Sequence, residues 1–344
     1  MMARKRGQVR TSTIYDVARN AGVSAATVSR VLSNPDIVTE RTRAVVLRAV
    51  DLLGYSPNAT AKSLRTLRTR KLLVSVPDIS NPFFSLIIQG IEETAQQDGY
   101  AVVLGDTHHD PRREDRYAQM LQQQEADGLI ILGHRMPETL VSWIKRRGPG
   151  APIVNGCEYS PEMGVPSAHI DNAAAAAEAM DHLYGLGHSR IGVITGPLNS
   201  PLSQDRLRGV EMRAKARHAH RQVLTVTGDF TIESGAAAAG KLFERKAPPT
   251  AIFCFNDEMA IGVLEYAGRM GLSVPGDLSL VGFDDIRFAR HLRPALTTVS
   301  QPMRDIGRET VRLLLGVIDG SIVTPVSVTL PHRLEVRDST AVPR

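Results

Sequence analysis

Phe83, Phe84, Asp171, Arg206, Phe230, Asn256, Asp284 and Gln301 are the residues of this 344-residue chain whose types could grip a small molecule. Phe83 and Phe84 follow a short apolar run at 72–76, Asp171 follows the His169-Ile170 pair, Asn256 follows AIFCF and Asp284 closes a run of LVGF. Arg206 comes after a Gly196-Pro197 loop, and Phe230 stands in a GDF triplet. Carboxylates and amides exchange hydrogen bonds with hydroxyls, and an aromatic face stacks on a ring, so the set suits a ligand that combines a polyol with a ring. Singly, each residue has a plainer use, an aromatic as core and an aspartate as a helix cap; Asp257 of NDEMA reads as such a cap. The conjunction at loop openings carries the weight.

A second set lies near the N-terminus. Ile14, Val17, Ala18 and Ala21 recur at helical spacing behind Thr13, an N-cap candidate with Asp16 three residues on, and Gly22 ends the helix. Ser24 caps a second helix whose inward face is Val28, Val31 and Leu32, which leaves Ala25, Ala26, Thr27, Ser29 and Arg30 facing out. Two helices joined by about three residues around a glycine form a helix-turn-helix, whose second helix enters the DNA major groove. A third helix from Thr39 to the stop at Gly54, with Val45, Ala49, Leu52 and Leu53 as its stripe, closes a small core. Any three-helix adaptor shares these signals. Yet a solvated helix normally shows Glu and Lys, whereas this one shows small and hydroxyl side chains plus one arginine, suited to close approach and to bidentate contact with guanine.

Charge divides along the chain in the same place. The first seventy residues hold 13 Lys+Arg against 4 Asp+Glu, and the remainder 28 against 32. A basic module joined to a mildly acidic body marks one part that meets phosphates and one that does not. The basic start has no apolar segment behind it and no run is long enough to span a bilayer, so the expectation is a cytoplasmic protein without membrane contact. Cys157 and Cys254 sit in no metal or redox spacing and read as small buried hydrophobes.

Beyond residue 71, short apolar runs at 72–76, 101–104, 128–132, 153–154, 191–194, 251–255 and 278–281 alternate with amphipathic stretches. About ten strands in βα alternation imply two parallel, doubly wound sheets with helices on both faces. Ligands of such sheets bind beyond the carboxyl ends of the strands, where the first set of residues lies.

The run TIYDVARNAGVSAATVSRVLSNPDIVTERTRAVVLRAVDLLGYSPNATAKSLR, residues 13–65, closely resembles the headpiece of the LacI/GalR family of transcriptional repressors. VPDISNPFF, HIDN, RLRG, GDF, FCFNDEMAIG and VGFDD extend the resemblance through the body in the family's order. It implies an all-α headpiece followed by a two-lobed, periplasmic-binding-protein-like body. The expected division is a basic tail at 1–12, a DNA-binding domain at 13–57, a hinge helix or linker at 58–71 and an effector-binding, dimerising body at 72–344. Lobe one would take 72–171 and 302–330, and lobe two 172–301 and 331–344. Carried over by position, the family's roles give Tyr15, Ser24, Thr27 and Ser29 to backbone phosphates and Ala25, Ala26 and Arg30 to bases. Asn58, Ala61 and Leu64 fall in the hinge, which in the family folds on operator DNA and wedges a leucine matching Leu64 into the minor groove. Alone, so short a segment is marginal as a helix.

The resemblance implies double-stranded operator DNA, a small effector and a second copy of the chain as partners, and no cofactor or metal. Purine-responsive relatives sandwich a ring between aromatics matching Phe84 and Phe230, but they also need an arginine where this chain has Ser200. VPDI.NPFFS, PLS..RL and GDFT.E.G resemble nucleoside-responsive members, so a nucleoside such as cytidine is expected, with a sugar or sugar acid the alternative. A transport-type solute-binding protein is the rival from another class, and the headpiece speaks against it. An enzyme acting through Asp171 and Asp284 is the other. No GxGxxG, P-loop, GxSxG or metal-spaced histidine cluster supports it, and His108-His109 reads as an exposed loop pair.

Overall fold

The computed structural model describes residues 12–56, 68–148, 150–218 and 223–344. Contacts divide the chain into two compact units, 1–69 and 70–344.

In the first unit, α1 (Ile14–Ala21) opens on a reciprocal cap: the Thr13 hydroxyl accepts from the Asp16 amide, and the Asp16 carboxylate accepts from the Thr13 amide. Gly22 ends it in the left-handed region at φ 64°, which costs glycine nothing. The Ser24 hydroxyl caps α2 (Ala25–Ser33), accepting from the Thr27 amide at 3.1 Å, and Thr39 caps α3 (Glu40–Leu53). Val17, Ala18, Val28, Val31, Val46 and Ala49 form the core. The expected stripe of α3 is corrected. Val45 and Leu52 are exposed, at 44% and 74%, and Val46, Ala49, Val50 and Leu53 face inward instead. Two overlapping apolar stripes run along this helix, and contact with α1 and α2 selects one of them. Ala25, expected outward, is half-buried against the same core.

The second unit holds two six-stranded sheets. The first contains β1 (Lys71–Val76), β2 (Ala101–Asp106), β3 (Gly128–Ile131), β4 (Ile153–Gly156) and β5 (Ser167–Ile170). The second contains β6 (Ile191–Thr195), β7 (Val223–Thr227), β8 (Ala251–Cys254), β9 (Ser279–Asp284) and β10 (Thr297–Ser300). The chain then returns: β11 (Ser327–Leu330) pairs with β5, and β12 (Arg333–Glu335) pairs with β10. The orders are β11-β5-β4-β3-β1-β2 and β12-β10-β9-β8-β6-β7. All pairings are parallel except that of β12, so the expected parallel architecture holds with one antiparallel edge. Strands β7, β11 and β12 carry no unbroken apolar run because they are half-exposed edges. β10 reads TTVS because its buried threonines spend their hydroxyls on internal bonds, Thr298 donating to Asp257 at 2.6 Å.

Helices that position the cleft open at the carboxyl ends of these strands. They are α4 (Pro82–Gln97), α5 (Pro111–Gln122), α6 (Glu138–Arg147), α7 (Asn172–Gly185), α8 (Pro201–Ala216), α9 (Ile232–Phe243) and α10 (Asp257–Arg269). The last helix, α11 (Met303–Asp319), crosses back and packs on α4. Gly90 and Gly307 permit that crossing, because a Cβ on either would lie 2.1–2.2 Å from a carbonyl oxygen of the opposite helix. The chain thus passes between the sheets after β5, after β10 and after β11.

Candidate functional site

A cleft of about 500 Å³ lies between the carboxyl ends of the two sheets. On the second sheet its wall is built around a buried ion pair. Arg206 on α8 donates through Nε to Asn172 Oδ1 at 2.9 Å and through Nη1 to the Phe255 carbonyl, and its guanidinium lies 3.6 Å from the Phe283 ring centroid. Nη2 stands 3.7 Å from Asp284 Oδ1, the oxygen that accepts from Gln301 Nε2 at 2.7 Å. Burial lowers the arginine to about 10 and raises Asp284 to about 7, while each partner's charge opposes the other's shift. Asp284 sits at φ 107°, a conformation that side-chain-bearing residues rarely adopt and that surrounding contacts must hold. Gln301 lies behind Asp284 rather than on the cleft surface, so it orients the carboxylate.

Phe230 also has a positive φ, 73°, which turns its ring into the space above Gly196; a Cβ at Gly196 would lie 2.0 Å from the ring. Asn256 Nδ2 donates to the Phe230 carbonyl at 2.9 Å, while its Oδ1 accepts from the Met259 amide and caps α10. The helix cap is therefore Asn256, and the expectation of Asp257 is corrected. Asp257 is wholly buried, accepting from Thr298 Oγ1 at 2.6 Å and from the Ile286 amide at 2.9 Å. Burial, reinforced by Asp284, pushes it well above the usual carboxylate range.

On the first sheet, Phe83 and Phe84 meet edge to face at 5.2 Å and show only their margins to the cleft. Asp171 does not line it. It caps α7, accepting from the Ala174 amide at 2.9 Å, so its carboxylate serves the backbone. In its stead the cleft gains groups that the sequence left unremarked. Glu158 Oε2 is 3.0 Å from His134 Nδ1, and that hydrogen bond raises the histidine against the effect of burial. Glu114, raised by burial, faces Arg135 at 3.4 Å. His134 and Arg135 follow β3 and Glu158 follows β4, so the post-strand rule reaches them; Glu114 lies on α5 and carries no such signal. His109, though exposed as expected, also borders the cleft.

In the first unit Tyr15 is 70% exposed, Ser24, Ala26 and Arg30 are exposed, and Thr27 and Ser29 are half-buried. The Ser24 and Thr27 hydroxyls are 2.9 Å apart. Asn58, Ala61 and Leu64 lie outside the described residues. Among the described residues no cluster of three or more histidines, cysteines or carboxylates is arranged to hold a metal, and no helix is long and apolar enough to cross a membrane. Cys157 and Cys254 are free and buried.

Residues 13–58 match the pattern of bacterial regulatory proteins of the lacI family, and residues 180–340 that of the periplasmic binding protein-like domain. The HTH-type transcriptional repressor CytR of Escherichia coli (strain K12) is 42% identical over 341 residues, 99% of each chain. Catabolite control protein A of Priestia megaterium is 38% identical over 339 residues, 95% of this chain and 99% of the relative. Among solved structures, the Lac repressor dimer bound to operator and the anti-inducer ONPF superposes with a TM-score of 0.87 at 28% identity, covering 96% of this chain and all of that one.

Proposed function

This chain belongs to the lacI family of bacterial regulatory proteins and is a transcriptional repressor of that family, and from that premise we propose that its effector is a nucleoside such as cytidine, held between the two lobes of its body. The cleft carries the reading. It sets an aromatic ring, Phe230, beside an amide and an arginine–carboxylate pair, Asn256, Arg206 and Asp284, which suits a stacked ring with hydroxyl and amide groups. The 42% identity to CytR along nearly the whole chain supports the same choice.

The regulator then works as a two-state device. Tyr15, Ser24, Thr27 and Ser29 meet operator phosphates, and Ala26 and Arg30, with the half-buried Ala25 beside them, meet bases. With alanines at two reading positions, polar base readout falls on Arg30, and the alanines offer apolar contact to thymine methyls. The effector closes the lobes of a homodimer in the cytoplasm and thereby changes the separation of the hinge segments at 58–71. Coupling of this kind is typically about 1–3 kcal/mol and is reciprocal, so operator DNA changes effector affinity by the same factor.

A thermal-shift screen of the full chain tests the ligand class, since a ligand bound to the native state alone raises its stability. Cytidine and related nucleosides are expected to raise the melting temperature in a dose-dependent way. A response to sugars or sugar acids with none to nucleosides would replace the nucleoside by the alternative class.

A further inference from the structure

Glu158 and Ser200 form the one pair of cleft-lining groups that joins the first lobe to the second among the hydrogen bonds of the described residues. Glu158 follows β4, and its Oε2 accepts from Ser200 Oγ at 3.5 Å while the same oxygen faces His134 Nδ1 at 3.0 Å. Ser200 is the N-cap of α8, the helix that carries Arg206. Its hydroxyl makes no capping bond to its own helix, whereas the side-chain oxygens of Asn81, Thr231 and Asn256 cap α4, α9 and α10 at the same cleft. A helix N-terminus with free amides attracts negative charge. Here a carboxylate of the opposite lobe already stands at that end, held also by His134, which lines the same cleft.

Of the two cleft arginines, the one on α8 is already occupied. Arg206 spends its fork on Asn172, Phe255 and Asp284, and Arg135 faces Glu114. A phosphate directed at the start of α8 would have to displace Glu158 or sit beside it as a like charge. We propose that Glu158 is a specificity-determining residue that occupies the anion position at the start of α8 and so restricts the cleft to unphosphorylated ligands. The inference rests on the reading of the cleft as the effector site, but not on the effector being a nucleoside.

The test compares paired probes on the full chain by calorimetric titration: cytidine against cytidine 5′-monophosphate, and ribose against ribose 5-phosphate, with inorganic phosphate alone as a third arm. Wild-type protein is expected to bind the unphosphorylated member of a pair at least about tenfold more tightly. Glu158→Gln is expected to shrink that ratio about tenfold and to gain a thermal stabilisation by inorganic phosphate that exceeds the wild-type response. Glu158→Ala carries the same expectation should the glutamine variant fold poorly. Ser200→Ala, which removes the contact without changing charge, should weaken both members of a pair and leave their ratio within about twofold.

An unchanged ratio in both Glu158 variants overturns the assignment, as does a Ser200→Ala ratio that falls as far as theirs. If cytidine fails to bind while the ribose pair keeps the pattern, the nucleoside reading falls and this one stands. If neither pair binds, the reading of the cleft as the site of such an effector falls, and the inference that rests on it falls with it.

Discussion

The headpiece and the cleft solve opposite physical problems. The headpiece displays Ala26 and Arg30 on the outside of a nine-residue helix, in water, over a core of small apolar side chains. The cleft buries Arg206, Asp284 and Asn256, holds Phe230 and Asp284 at positive φ, and draws its wall from six or more separate chain segments. An exposed side chain that awaits a partner costs the free fold little. A buried charge must be paired within the protein, so any change there is felt as stability as well as binding.

That contrast can be broken most decisively at Arg206. Arg206→Ala leaves Asp284 and the Phe255 carbonyl without their partner and should destabilise the body by about 3–5 kcal/mol, measured by denaturant unfolding. A cost below about 1 kcal/mol, within the range of surface pairs, would show that the site is wetter than its geometry implies. Phe230→Ala is the sharper probe of ligand binding. It should weaken the effector about thirtyfold in a titration, roughly 2 kcal/mol, while operator affinity of the unliganded protein stays at the wild-type value. An unchanged titration would remove the ring from the site.

On the headpiece side, Arg30→Ala should lose about 1–3 kcal/mol of discrimination between operator and random DNA in a mobility-shift assay. Equal losses on both DNAs would make it a phosphate contact instead. The smallest effect is expected at Ser24→Ala, which removes the cap of α2 and should cost about 1 kcal/mol of headpiece stability, read from its thermal melt. A melt unchanged by this substitution would mean that solvent satisfies the Thr27 amide as well as the serine does.

The two regions were also unequally legible. In the headpiece, caps and stops are local: Thr13, Ser24, Thr39, Gly22 and Gly54 each act within three or four residues, so their types announce the helices they bound. The misread stripe of α3 is the exception that needed tertiary contact, since Val45 and Val46 differ in sequence only by one step around the helix. In the body the post-strand rule reached Arg206, Phe230, Asn256 and Asp284, but it gave Asp171 the same standing, though that carboxylate is spent on a helix amide. Glu158 and His134 fall under the same rule, following strands equally well, but nothing in their local sequence set them apart from other post-strand polar residues.

By itself, then, the sequence determined the elements that periodicity and local caps announce: the three headpiece helices, the alternation that builds two parallel sheets, and the side of those sheets on which polar residues gather. Only the tertiary structure decided which of those residues face one another. Asp257 and Asn256 are adjacent in the chain, yet one is locked between Thr298 and Ile286 while the other lines the cleft. Glu158 and Ser200 stand 42 positions apart and meet only because the chain passes between lobes. Contacts of that kind are set by how two separately folded sheets approach each other, a relation that no local pattern of residue types encodes.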